Sequence, residues 1–251
     1  MLKDDQLLRY SRQIMLPEVD IAGQEAWLNA SVLIIGLGGL GSPVAMYLAA
    51  AGVGRLVLVD DDQVELTNLQ RQIIHRTATI GQAKVDSAKA TIAELNPDTD
   101  VVVINARLDE SALEQQVAEC DLVVDCCDNF TTRFAVNAAC VKHKTPLVSG
   151  AAIRLEGQVA VFDPRRENAP CYRCLYRDGD EENLTCSESG VLAPLVGIIG
   201  SVQAMEALKV LADLGEPLVG RLLLLDSRHM DWRTLKLRRD PECPCCGDKN
   251  S

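Results

Sequence analysis

The 251-residue chain is poor in aromatic side chains and in histidine, with three Phe, two Trp, four Tyr and three His. So few rings do not make a base-stacking platform. His75, His143 and His229 stand at no metal-ligand or triad spacing, and are expected at the surface or as caps. Cations are also scarce: 25 Lys+Arg face 36 Asp+Glu, for a formal net charge of −11. Nucleic-acid binding needs clustered Lys and Arg to neutralise phosphates. No basic run dominates, which weighs against that class, and the acidic balance could also suit a basic protein partner. No apolar stretch approaches the roughly 20 unbroken residues of a membrane helix. The opening Met1-Leu2-Lys3-Asp4-Asp5 carries acid and lacks the apolar core of a signal peptide. A cytoplasmic protein with no membrane contact is expected.

What is present is ordinary globular material, 47% apolar and 24% charged, with ten cysteines that need an account. In a reducing compartment metal binding and thiol chemistry are better readings than disulfides. Cys171-x-x-Cys174 and Cys243-x-x-Cys246 form two thiolate pairs, the usual way to build a tetrahedral four-sulfur zinc site. Four thiolates leave no open coordination position, so the metal would be structural and would pin the C-terminal tail to mid-chain. Cys245 blurs the last ligand assignment. Cys120, Cys126, Cys127 and Cys140 lie in apolar surroundings and read as core. Cys186 lies in a polar stretch and is a candidate reactive thiol.

Periodicity predicts one helix over 4–15, ended by Pro17, and a second over 20–30. Val32–Ile35, Leu56–Val59, Val101–Ile104, Leu122–Asp125 and Leu147–Ser149 read as buried strands. Helices alternate with them over 40–51, 82–95, 111–119 and 131–143, with Ser111 and Glu114 as a capping box. This alternation means a Rossmann-like α/β fold, a mostly parallel sheet with helices on both faces. Strands at 158–162, 221–225 and 232–237 and one helix at 193–214 extend it towards the zinc-stapled C-terminal part. No linker or repeat is evident. The expected organisation is one domain over 1–251: N-terminal helices (1–30), a nucleotide-binding half (31–150), and a carrier-binding, zinc-stapled half (151–251).

The chemistry concentrates at strand ends. Gly36-Leu37-Gly38-Gly39-Leu40-Gly41 follows a buried strand and opens a helix, whose N-terminal N–H groups suit phosphate. Asp60 ends the next strand, where an acid commonly binds a ribose hydroxyl. Beyond it, Thr67-Asn68-Leu69-Gln70-Arg71-Gln72 supplies polar groups, and Lys84 follows at the next helix start. Cations there suit a triphosphate and the charge that develops in nucleotidyl transfer; taken singly, each residue also fits a solvated loop. Asp125 and Asp128 are alternative Mg²⁺ ligands at another strand end. Asp125 also fits the strand interior, and Asp128 or Asn129 a helix cap.

As a set, Arg9-Tyr10-Ser11-Arg12-Gln13-Ile14, the glycine turn, Thr67–Gln72, Asp128-Asn129 and both cysteine pairs resemble the bacterial relatives of ubiquitin-activating enzymes. The resemblance covers nearly the whole chain. Ser149–Gln158 is most similar to the branch serving molybdopterin synthase in molybdenum cofactor biosynthesis. The branch acting on the thiazole sulfur carrier of thiamine biosynthesis is the near rival.

The resemblance implies an ATP- and Mg²⁺-dependent nucleotidyltransferase that adenylates the C-terminal glycine of a small ubiquitin-like sulfur carrier. It implies Gly36, Gly38, Gly39 and Gly41 at the phosphates and Asp60 at the ribose. Thr67, Asn68, Leu69, Gln70, Arg71 and Lys84 would line the triphosphate, and Asp128 with Asn129 the Mg²⁺. Arg12 would reach the neighbouring subunit's ATP across a homodimer. Cys171, Cys174, Cys243 and Cys246 match the zinc ligands, and Cys186 the cysteine of thiol-forming relatives. Two other classes compete. A nicotinamide oxidoreductase would use the same glycine turn but needs no Arg71 or Lys84, and a zinc-stapled docking module would catalyse nothing.

Overall fold

A computed structural model describes residues 2–177 and 190–248. Eight strands form one sheet in the order β3-β2-β1-β4-β5-β6-β7-β8. β1 (Ser31–Ile35), β2 (Arg55–Val59), β3 (Asp100–Ile104), β4 (Leu122–Asp125) and β5 (Leu147–Ile153) are parallel. β6 (Glu156–Phe162), β7 (Arg221–Asp226) and β8 (Asp231–Lys236) follow antiparallel. The apolar runs of β1, β2 and β4 are buried because helices cover both faces.

One face carries α4 (Gly41–Ala51), α5 (Lys84–Leu95) and α9 (Ala193–Leu211), packed on Val32, Ile34, Leu56, Leu58 and Val124. The other carries α6 (Glu110–Ala118), α7 (Phe130–His143) and the short α8 (Tyr172–Leu175), over Leu33, Val57, Val123 and Phe162. α9 is long and apolar enough to cross a membrane by length and composition, but it is the core helix laid across β5, β6 and α4. Trp27 of α3 (Asp20–Asn29) donates to the Leu208 carbonyl at 2.9 Å and ties the N-terminal region to α9.

Three local expectations are corrected. The helix expected over 4–15 is two, α1 (Asp4–Arg9) and α2 (Ser11–Ile14), broken at Tyr10. The Tyr10 ring is buried, its hydroxyl accepts from Asn96 at 2.9 Å, and it fills the space where a side chain on Gly52 would stand. Tertiary packing overrides local periodicity there. The cap of α6 is Asp109, which accepts the Ala112 N–H at 2.8 Å, while Ser111 donates its hydroxyl to Asp109 and caps nothing. β5 runs four residues beyond Ser149, because β6 pairs with it along its whole length.

Candidate active site

β1 lies between β2 and β4, and the helix following β1 crosses towards β2 while the chain after β4 continues the other way. Open α/β sheets bind ligands at such a point, outside the carboxyl ends of the strands. Gly36 leaves β1 with φ +92°, open to glycine at little cost. A Cβ on Gly36 would stand 2.9 Å from the Cys126 carbonyl, so the loops after β1 and β4 touch there. A Cβ on Gly41 would overlap the Gly36 carbonyl at 1.9 Å, which makes the turn into α4 exclusive to glycine. Gly39 serves packing as well, since a side chain there would meet Val196 of α9 at 2.9 Å. A Cβ on Gly38 would meet only the Gln72 amide, at 3.7 Å.

The Asp60 carboxylate accepts the Leu37 N–H at 2.7 Å and the Asp62 N–H at 2.9 Å, which fixes it against the glycine turn. Burial raises its pKa above the ordinary carboxylate value, against the pull of Lys84 and the two amides. Lys84, first residue of α5, is only 5% exposed; its ammonium donates to Asp62 at 2.6 Å and lies 3.9 Å from Asp60. A buried cation beside a phosphate-type turn is the unusual feature of the crevice.

The polar loop beyond β2 opens with a 3₁₀ turn, Leu66–Asn68. Arg71 donates to the Thr67 carbonyl and the Gln70 amide oxygen, each at 3.1 Å, and Thr67 donates to Glu65 at the same distance. Leu69 and Asn68 are half-buried, and the Asn68 carbonyl accepts from Arg71 and Gln72. Gln72 was not among the expected site residues. It is buried with its amide nitrogen towards Gly38, and its Oε1 has no hydrogen-bond partner among the described residues, an acceptor left unused. The sequence signal was a second Gln after Arg71 in the polar loop.

At the end of β4 the alternatives separate. Asp125 is the last residue of the strand and fully buried, accepting from Ser149 at 2.8 Å and from the Cys127 N–H at 3.0 Å. Its ion partner, also missed in the sequence, is buried Arg133 of α7, 3.5 Å away. Burial opposes the Arg133 charge most strongly, but Asp125 together with Tyr172 and Cys127 outweighs it and holds the pKa above its ordinary value. Arg133 also donates to the carbonyls of Cys127 and Gly150, which binds the loop after β4 to β5. Asp128 stands exposed at the tip of that loop, available to an ion, and Asn129 caps α7 through the Thr132 N–H at 2.9 Å. Burial drives the thiols of Cys126 and Cys127 well above their ordinary pKa, so both are inert core.

His75 corrects the expectation of a surface residue. It is 4% exposed, bonded to Ser87 at 3.0 Å and to the Leu37 carbonyl at 3.1 Å, and burial lowers its pKa. It braces the glycine turn from behind. His143 and His229 are exposed.

Arg12, on α2, is exposed and remote from its own chain's crevice. Its neighbour Gln13 bonds to the Ala51 carbonyl at 3.0 Å, at the end of α4 away from the glycine turn. That helix of eleven residues spans about 16 Å.

The four cysteines of the two pairs converge: their sulfurs all lie within 4.8 Å of one another, Cys171 to Cys243 at 3.6 Å and Cys174 to Cys246 at 3.5 Å. Metal–sulfur bonds of about 2.3 Å in a tetrahedron put sulfurs about 3.8 Å apart, so the set fits a tetrahedral metal ion. Asn137 of α7 donates to Cys171 at 3.6 Å and to Cys245 at 3.3 Å, and the Asp240 N–H donates to Cys174 at 3.4 Å. Cys245 is thus the outlying thiol. Cys186 lies outside the described residues.

Comparison with known proteins gives these features a lineage. The chain is 52% identical over 246 residues to a molybdopterin-synthase adenylyltransferase of Salmonella typhimurium, covering 98% of each. It is 46% identical to the sulfur carrier protein ThiS adenylyltransferase of Escherichia coli, over all of this chain and 99% of the relative. In three dimensions it resembles the crystal structure of E. coli MccB with ATP, at TM-score 0.84 and 27% identity, over 95% of this chain and 74% of that one. The ThiF family model matches residues 10–245, and the chain belongs to the ThiF family.

Proposed function

We propose that the chain adenylates the C-terminal carboxylate of a small ubiquitin-like sulfur-carrier protein with ATP, releasing pyrophosphate, and that the carrier is the small subunit of molybdopterin synthase. The observation that carries the reading is the buried Lys84 ammonium beside Asp60 at the glycine turn. A redox dinucleotide needs the turn and the acid, but not that cation. The relatives at 52% and 46% identity, both named adenylyltransferases, support the reaction.

In this reading a carboxylate oxygen of the carrier bonds to the α-phosphorus of ATP, and the bond from that phosphorus to the bridging oxygen of pyrophosphate breaks. The nucleophile is already an anion, so no general base is required. The residues act by position and charge. Gly36, Gly38 and Gly41 with the N-terminus of α4 accommodate phosphate, Asp60 the ribose, and Asn68, Arg71, Gln72 and Lys84 the triphosphate. Asp128, beside Asn129, would hold Mg²⁺, which when bound neutralises phosphate charge.

Arg12 would serve the crevice of a second subunit in a homodimer, in keeping with its distance from its own. The four-cysteine cluster would hold one structural Zn²⁺ per chain, and we read 1–251 as one adenylation domain because a single sheet runs through both halves. Nine described cysteines are free thiols, which suits a reducing compartment such as the cytoplasm.

The test is exchange of labelled pyrophosphate into ATP with each purified carrier. Exchange with the molybdopterin synthase small subunit supports the reading. Exchange with the thiazole carrier alone moves the pathway to thiamine, which the 46% relative keeps open. No exchange with either, or NAD binding in its place, rejects adenylylation.

A further inference from the structure

A cavity of about 860 Å³ opens at the end of the sheet opposite the glycine turn. It lies beside Arg221, where β7 starts, Lys236, where β8 ends, and the chain just after β6. The last residue of β6, Phe162, pairs with the first residue of β5, so the cavity lies where the parallel strands begin and the nucleotide crevice where they end. Its size is that of a ligand pocket, and none of the residues assigned to adenylylation line it.

Its charge is opposite to that of the molecule. Arg166, Arg221, Lys236, Arg238 and Arg239 line it against only two carboxylates, Glu167 and Asp248, in a chain of net charge −11. Part of this cation set is held rigid. Arg221 donates to the carbonyls of Glu216 at 2.9 Å and Pro217 at 3.1 Å, and Arg239 to that of Cys246 at 3.1 Å. The last bond joins the cavity wall to the cysteine cluster. Lys236 and Arg238 are exposed and have no partner among the described residues.

We propose that this cavity docks an acidic segment of a protein partner, its carboxylates meeting Lys236 and Arg238 and its backbone lying along Ala169, Pro170 and Leu237. Charge complementarity selects the occupant. A nucleic acid fits worse: among the described residues no aromatic side chain lines the cavity to stack a base. The inference does not depend on the adenylylation reading.

The test uses the full-length protein and a short fluorescent peptide of alternating Glu and Asp, read by anisotropy. Binding is expected at about 50 mM salt and should weaken steeply towards about 300 mM, as screening requires. The double charge reversal Lys236→Glu/Arg238→Glu should weaken it by at least ~10-fold. Lys89→Glu/Arg107→Glu, equal in charge but remote in sequence and exposed, should leave it within about twofold. Circular dichroism and metal content check that both variants are folded. The proposal is overturned by absence of binding at low salt, by equal losses in the two variants, or by tighter binding of a single-stranded oligonucleotide of matched charge.

Discussion

Lys84 Nζ lies 2.6 Å from an Asp62 carboxylate oxygen, although Lys84 is buried and Asp62 exposed. A buried ammonium needs a counter-charge, and Asp62 supplies one from the rim while Asp60, 3.9 Å away, stays engaged with the glycine turn. In the proposed function this keeps a cation at the crevice whose rim partner an incoming phosphate would replace.

Replacing Lys84 with Ala should therefore cut ATP–pyrophosphate exchange by roughly 10²-fold or more, as loss of one preorganised charge does. Arg71→Ala should act in the same direction. Asp62→Ala removes only the rim partner and should cost less than about tenfold. Near-normal exchange in both cation variants, with native circular dichroism, would sink the proposed role.

The cysteine cluster makes an independent prediction. Freshly purified protein should contain about one zinc per chain by elemental analysis. Cys243→Ser should lose it and lower the unfolding temperature. Cys245→Ser should keep it, because Cys245 stands outside the converging set and meets Asn137. Zinc loss on the Cys245 substitution alone would reassign the ligands.

Strand positions and the glycine turn were legible because they rest on local patterns: continuous apolar runs for strands buried on both faces, and glycines that sterics demand. The misses depend on contacts distant in sequence. Nothing near Tyr10 says that its ring will pack on Gly52 and end a helix. Nothing near His75 announces the Leu37 carbonyl, 38 residues away. Arg133 sits where a helix surface cation was the default. The clue was Asp125, an acid that ends an apolar strand and so needs a buried partner. Site residues were readable as types in order along the chain. Their grouping around one switch point required the sheet.

That buried pair gives a stability prediction. Arg133→Met leaves the Asp125 carboxylate uncompensated and frees the carbonyls of Cys127 and Gly150. Breaking a buried ion pair from one side costs about 3–5 kcal/mol. Arg133→Lys keeps charge without the planar fork and should lose less. Denaturant midpoints of the three proteins should fall in the order wild type, Lys, Met.

His75 sets a pH dependence. Burial holds its pKa below the ordinary 6.5, so the folded state keeps the ring neutral. Below pH 6.5 the unfolded chain takes up a proton that the folded protein does not, so the unfolded state binds more protons and stability falls with pH. The contribution is complete above the unfolded pKa and is lost as pH falls through 6.5 towards the lower folded value. The unfolding temperature of the wild type should drop between about pH 7.5 and 5.5, and His75→Gln should flatten that drop. An unchanged slope would assign the loss to other groups.

The last prediction concerns assembly. Gln13 places α2 at the far end of α4 from the glycine turn, so in the proposed function Arg12 would reach only the nucleotide of another subunit. The active form should then be a two-fold dimer. Arg12→Ala and Lys84→Ala chains, each inactive alone, are mixed under conditions that exchange subunits. Statistical exchange makes about half of all dimers hybrids. In each hybrid one crevice lacks both residues and the other has both, so about a quarter of wild-type activity should return. If exchange is verified by mass and no activity returns, Arg12 acts within its own chain or only through structure, and the dimeric site is wrong.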